Sequence, residues 1–251
     1  MRKIDSYKEA LMKKTITALA WLLIALLLLL PAGVLICSGL GYVFRLDSYP
    51  LFAALPAVCG VIAFVLRSKA KPDPEMKTAR TLFSLSAPLA VIAAAFYMRA
   101  DPGVWTLVCC LVSIAACVSL AIAWGRQGPF KTCLLSTTAV LAVAVGAFCF
   151  ICLVFENFPF FGSFGASEVV RRVDSPSGSY VAEIIADDQG ALGGATWVEV
   201  SGTNRIDVWL IHIEPVARRV YTGPWGEFET MELSWKNDAC LEINGKDYRI
   251  P

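Results

Sequence analysis

Five charge-free apolar runs constrain this sequence more than any other feature: residues 15–44, 48–66, 81–98, 102–125 and 132–155. A helix rises about 1.5 Å per residue, so about 20 apolar residues cross the hydrocarbon core of a bilayer. Inside lipid every backbone N–H and C=O needs an internal partner, which an α-helix supplies by itself. The runs predict an all-α bundle of five transmembrane helices over residues 15–155, behind a tail at residues 1–14. Pro31 predicts a kink or an early end in the first helix. Pro50, Pro56 and Pro88 are tolerable where neighbouring helices satisfy the freed carbonyls.

Charge sets the expected orientation. Five Lys/Arg lie in the N-terminal tail, five between Arg67 and Arg80, and two between Gly125 and Lys131; the alternate side carries only Arg45 and Arg99. Positive charge accumulates on the cytoplasmic side. The amino terminus is therefore expected in the cytoplasm, the protein in the plasma membrane as a multi-pass chain, and everything after the fifth helix outside. Tyr42, Tyr49, Tyr97 and Trp105 flank the outer connections and Trp124 an inner one, as an aromatic belt requires. The first run is too long for the apolar core of a signal peptide and lacks an Ala-x-Ala-like site, so it reads as a retained anchor.

The runs contain no Asp, Glu, Lys, Arg or His. Such residues inside a bilayer mark proton relays, ion paths and voltage sensors. The helical half therefore reads as a packing scaffold, with Ser84, Ser86, Ser113, Ser119, Thr137 and Thr138 expected to bond between helices. Eight of the nine cysteines lie in or beside the apolar runs; Cys149-Phe-Ile-Cys152 has Cys-x-x-Cys spacing but lies inside the fifth run, and no Cys/His cluster occurs. Zinc and thioredoxin-like chemistry are thus not expected, and Cys149 and Cys152 on one helix side read as packing residues. No cofactor is expected.

Composition changes after the fifth run. Residues 1–167 carry 14 Lys/Arg against 7 Asp/Glu, and residues 168–251 carry 8 against 14. The near-neutral total of +1 hides a basic apolar part and an acidic polar one. Residues 156–167, rich in Phe and Gly, read as an interfacial linker. From Glu168 the hydrophobic period becomes two. Strands are expected at residues 169–173, 180–186, 195–201, 206–213, 218–222, 229–235, 240–243 and 246–250. Ser175-Pro176-Ser177-Gly178 and Asn244-Gly245 are turns, the latter a strong hairpin signal because both residues tolerate positive φ. The expected fold is a small C-terminal all-β antiparallel domain over residues 168–251, either a sandwich or a sheet like one or two propeller blades. Its single cysteine, Cys240, leaves it without an internal disulfide.

Three segments carry a resemblance: Ser175-Pro-Ser-Gly-Ser-Tyr-Val-Ala-Glu183, Asp188-Gln-Gly-Ala-Leu-Gly-Gly194, and Trp235-Lys-Asn-Asp238 with Leu241-Glu-Ile-Asn-Gly245. They resemble a family of uncharacterised β-domains of Gram-positive bacteria, held outside the cell behind one or more membrane segments. The Ser-Pro-x-Gly-x-Tyr-Val-Ala element also occurs in propeller blades of the TolB type. The resemblance covers residues 168–251, implies no activity, and transfers no functional residue.

The most unusual loop is Asp187-Asp188-Gln189-Gly190, followed by Gly193-Gly194. Its carboxylates suit a cation or a partner, but the spacing is not that of a calcium loop, and a solvated hairpin connection is the plainer reading. Trp225, between Pro224 and Gly226, is a candidate aromatic anchor, for which folding back onto its own sheet is the plainer reading. Asp187, Asp188, Gln189 and Trp225 form the candidate partner or ligand set. His212, the single histidine, lies in a strand pattern without a nucleophile context and reads as a structural residue. An acidic surface does not suit nucleic acid. The expected function is a non-enzymatic membrane protein whose outer β-domain binds or senses a ligand or a partner from the membrane or cell envelope. The alternative is an accessory or assembly subunit of a membrane transport complex. Nothing in the sequence sets an oligomeric state.

Overall fold

A computed structural model describes residues 2–69, 76–124, 128–157, 166–188, 190 and 193–250. The chain divides into two compact units, one of residues 1–35 and 48–154, the other Ile36–Asp47 with Phe155–Pro251.

The first unit is helical: α1 (Arg2–Gly39), α2 (Tyr49–Lys69), α3 (Lys77–Ala100), α4 (Val104–Trp124) and α5 (Pro129–Asn157). All five contain a segment long and apolar enough to cross a membrane. Pro31 neither ends α1 nor divides it. The helix stops instead at Gly39, where the Leu40 and Gly41 N–H groups bond back to Ile36 and Ser38 and Gly41 takes φ +79°. Along α1 the buried residues Ile16, Ala20, Leu23, Leu27 and Leu30 recur at helical spacing and form one seam. Gly60 lets α2 and α4 approach closely, since a Cβ there would stand 3.3 Å from Ala116 Cβ. The expectation that the hydroxyls link helices holds for Ser113, which donates to the Ala53 carbonyl of α2 at 2.6 Å. Ser84, Ser86, Ser119, Thr137 and Thr138 bond to carbonyls of their own helices three or four residues back, and Ser86 also meets the Cys117 side chain of α4. Those acceptors are always within reach of a helical hydroxyl, whereas an interhelical one needs close approach. At the end of α2 the Arg67 guanidinium lies over the Trp124 ring of α4, 4.2 Å from its centroid. Side-chain placement of Cys149 and Cys152 lies outside the described residues.

The second unit is all-β and antiparallel. Its strands are β1 (Tyr42–Leu46), β2 (Ala166–Asp174), β3 (Tyr180–Asp188), β4 (Gly194–Gly202), β5 (Ile206–Val208), β6 (Ile211–Pro215), β7 (Arg218–Pro224), β8 (Leu233–Asn237), β9 (Cys240–Ile243) and β10 (Lys246–Arg249). They form a four-stranded sheet ordered β2-β3-β4-β7 and two three-stranded sheets, β10-β9-β8 and β1-β6-β5. The first two share one core of Ala182, Ile184, Val198, Val200, Met231, Leu241, Ile243 and Ile250. Alternation puts Ala182 and Ile184 of β3 on the same face as their partners Val200 and Val198 of β4. Trp235 Nε1 donates to the Val173 carbonyl at 3.0 Å, tying β8 to β2. Asn244-Gly245 turns β9 into β10 with φ +49° and +76°, as its sequence requires.

Three features differ from the sequence reading. The stretch at 42–46 is a strand of the β unit and not the end of an apolar helix, because Gly39 and Gly41 break α1 first. The single strand expected at 206–213 is a hairpin that turns at Trp209 and Leu210, with Trp209 at φ +54°. The strand expected at 229–235 begins only at Leu233, after a 3₁₀ turn at Glu227–Glu229. Most of the linker at 156–167 lies outside the described residues.

Candidate functional site

The sheet β1-β6-β5 joins residues far apart in sequence. Arg45 of β1 and Asp207 of β5 both face His212 across the ladders. Side chains alternate between faces along a strand. One face therefore carries Arg45, His212, Asp207 and Glu214, and the other carries Phe44, Leu46, Ile211, Ile213, Ile206 and Val208.

The charged face forms a clasp centred on His212. Its Nδ1 lies 2.6 Å from Asp207 Oδ1, and its Nε2 bonds to the Asp47 carboxylate just beyond β1. Arg205 Nη2 also lies 2.7 Å from Nδ1, so that nitrogen is shared between a carboxylate and a guanidinium, and the two flanking carboxylates favour the protonated ring. The hydrogen bond to Asp207, then the one to Asp47, holds its pKa above the usual histidine range, while desolvation and the charge of Arg205 oppose this. Asp207 is correspondingly held below the usual carboxylate range, first by His212 and then by Arg205. Arg205 extends the network to Glu214, with Nη1 at 3.1 Å, and Arg45 Nε lies 3.8 Å from the same carboxylate. Carboxylates alternate with cations through this group, so each charge has an opposite neighbour. The arrangement closes β1 onto the β5–β6 hairpin, and the Asp47 N–H adds a bond of 3.1 Å to the Leu210 carbonyl.

Beside this sheet the β unit has a half-open cleft of about 520 Å³. Its lining draws Tyr42 from β1, Tyr180 from β3, Arg218 from β7, and Ser179, Asn204 and Asp238 from turns. Tyr180 is braced by Trp235, stacked on it with ring centroids 6.4 Å apart. The Ser177 N–H donates to Asp238 Oδ1 at 3.0 Å, and this bond, with the Ser177 and Ser175 hydroxyls, holds the carboxyl below its usual range. Arg218 is exposed, and among the described residues no carboxylate pairs with it. The volume falls in the range of small-molecule sites, about 300–1,000 Å³, and the mixture of aromatic rings with a few fixed polar groups is typical of them.

The loop singled out in the sequence lies elsewhere. Asp187 is buried and accepts a hydrogen bond of 2.5 Å from the Ser167 hydroxyl. Asp188 accepts from the Gly190 N–H at 2.8 Å, an ordinary turn-closing bond. Gln189 lies outside the described residues. Trp225 packs against Phe228, with centroids 5.3 Å apart, and its ring covers Gly194 beside the Asp187 carbonyl. Asp187 and Trp225 are thus neighbours, yet neither lines the cleft. Among the described residues no group of three or more His, Cys, Asp and Glu could hold a metal.

Sequence reasoning missed the partners of His212. Arg205, Asp207 and Glu214 lie close to it in sequence, but Asp47 stands 165 positions away, before an apolar helix. Fold and site together define a chain of five apolar helices with an antiparallel all-β unit that incorporates the connection between the first two. No protein-family model, curated protein or solved structure matches the chain.

Proposed function

We propose that this chain is a non-enzymatic plasma-membrane protein whose β unit lies outside the cell and binds or senses a ligand in the cleft. The observation that carries the reading is Tyr42. It belongs to the short connection between α1 and α2, and it lines the same cleft as Tyr180, Asn204 and Arg218. An occupant touching Tyr42 acts directly on the link between two membrane helices, which gives a binding event a route to the bilayer.

Topology supports the reading. The β1–β6 ladder needs residues 42–46 and 211–215 on one side of the membrane. Four apolar helices, an even number, separate these segments in the chain. The Lys/Arg bias of twelve against two favours the outside for that side.

The test uses the full chain in lipid nanodiscs, screened by saturation-transfer NMR against soluble cell-envelope fragments such as amino sugars, muropeptides and glycerol phosphates. At least one fragment is expected to bind and to lose binding in both Arg218→Ala and Asn204→Ala, with melting behaviour retained. Absence of binding throughout the set, or binding indifferent to both substitutions, would refute the assignment.

A further inference from the structure

We propose that the exposed apolar tip of the β5–β6 hairpin is an interfacial anchor, with Trp209, Val208 and Ile206 seated in the headgroup layer of the bilayer. This rests on the membrane-spanning reading above.

Three observations carry it. First, the exposed apolar residues are contiguous: Ile206 is 53% exposed, Val208 57%, and Trp209 at the hairpin tip 82%. Contiguous apolar exposure of this kind marks an interaction surface. Second, the backbone gives no reason for tryptophan at the tip. Trp209 adopts φ +54°, a left-handed conformation that glycine or asparagine takes with less strain, so what the position gains from tryptophan is its side chain.

Third, covalent continuity selects lipid as the occupant. The Leu210 carbonyl accepts the Asp47 N–H, and Asp47 precedes Tyr49, the first residue of α2, by two positions. Two residues of chain reach about 7 Å at most. The Trp209 turn is therefore tied to the point where an apolar helix begins, and tryptophan favours that level of a bilayer. The charged face suits the same depth. Arg205, Asp207 and Glu214, on the opposite side of the sheet from Ile206 and Val208, keep access to water while the hairpin tip meets lipid.

The experiment labels the full chain with 5-fluorotryptophan in vesicles of phosphatidylethanolamine and phosphatidylglycerol. Fluorine NMR resolves the indoles, and Trp209→Phe identifies the Trp209 resonance by its disappearance. A gadolinium-headgroup lipid is expected to erase the Trp209 signal and leave Trp225 visible, whereas a soluble gadolinium chelate should do the reverse. If the soluble chelate erases Trp209 and the lipid leaves it, the anchor is overturned. Protection of Trp209 from both reagents overturns it equally, because a protein partner or a second copy then covers the tip. Trp105, at the start of α4, separates the two readings: its loss to the gadolinium lipid while Trp209 persists sinks the anchor alone, and persistence of both sinks the membrane reading.

Discussion

Substituting Leu241→Ala tests whether β1 belongs to the β unit as an energetic fact. Leu241 is fully buried on β9, in a core shared with Ile184, Val198 and Ile243. The substitution removes three carbons, worth roughly 2.4 kcal/mol in transfer free energy at about 0.8 kcal/mol each. The cavity left behind raises the total to roughly 3–4 kcal/mol, within the measured range for buried leucines. Opening equilibria rise tenfold for each 1.4 kcal/mol or so, an acceleration of about one hundred- to one thousand-fold. Hydrogen exchange with mass spectrometry on the full chain reads this peptide by peptide. Amides of β3, β4 and β9 are expected to exchange faster by that factor where global opening of the unit governs them. The amides of Tyr42–Leu46 should accelerate with them, although they lie between two apolar helices in sequence, while α3 and α4 stay unchanged. Acceleration of β3 and β9 with β1 unmoved would refute the claim that the connection and the C-terminal region form one cooperative unit.

Two further outcomes follow from the clasp and from a close glycine contact. His212 has a raised pKa, so its contribution to closing β1 is complete below about pH 6.5, the unfolded value, and is lost as pH climbs through the folded value. Asp207, with a lowered pKa, contributes above its unfolded value and loses that contribution as pH falls through the folded one. Protection of the β1 amides should therefore peak in weakly acidic solution and flatten with pH in His212→Gln. A titration of the single histidine by NMR with a midpoint at or below 6.5 would contradict the geometry. Gly194→Ala would place its Cβ 2.4 Å from the Trp225 ring and 2.6 Å from the Asp187 carbonyl. It should destabilise the β unit by about 1–3 kcal/mol and shift Trp225 fluorescence, and an unchanged melting temperature would show that the ring does not rest there.

Periodic and local signals were legible in the sequence. The five apolar runs appear as five helices because length and hydropathy are properties of a single segment. Asn244-Gly245 could be read as a turn because its constraint is the φ of two adjacent residues. Most strand positions from 166 to 250 followed from alternation over a few residues. Tertiary structure alone decided which strands meet. Tyr42–Leu46 is hidden by its apolar neighbours, and among the described residues β6 gives it its strand partner. Trp209 carries none of the usual marks of a turn, so the hairpin depends on β6 pairing with β1 and β5 together. His212 looked solitary until folding brought Asp47 across 165 residues to its second nitrogen. Pairing between distant strands is set by the free energy of the assembled sheet, and no window of sequence contains both partners.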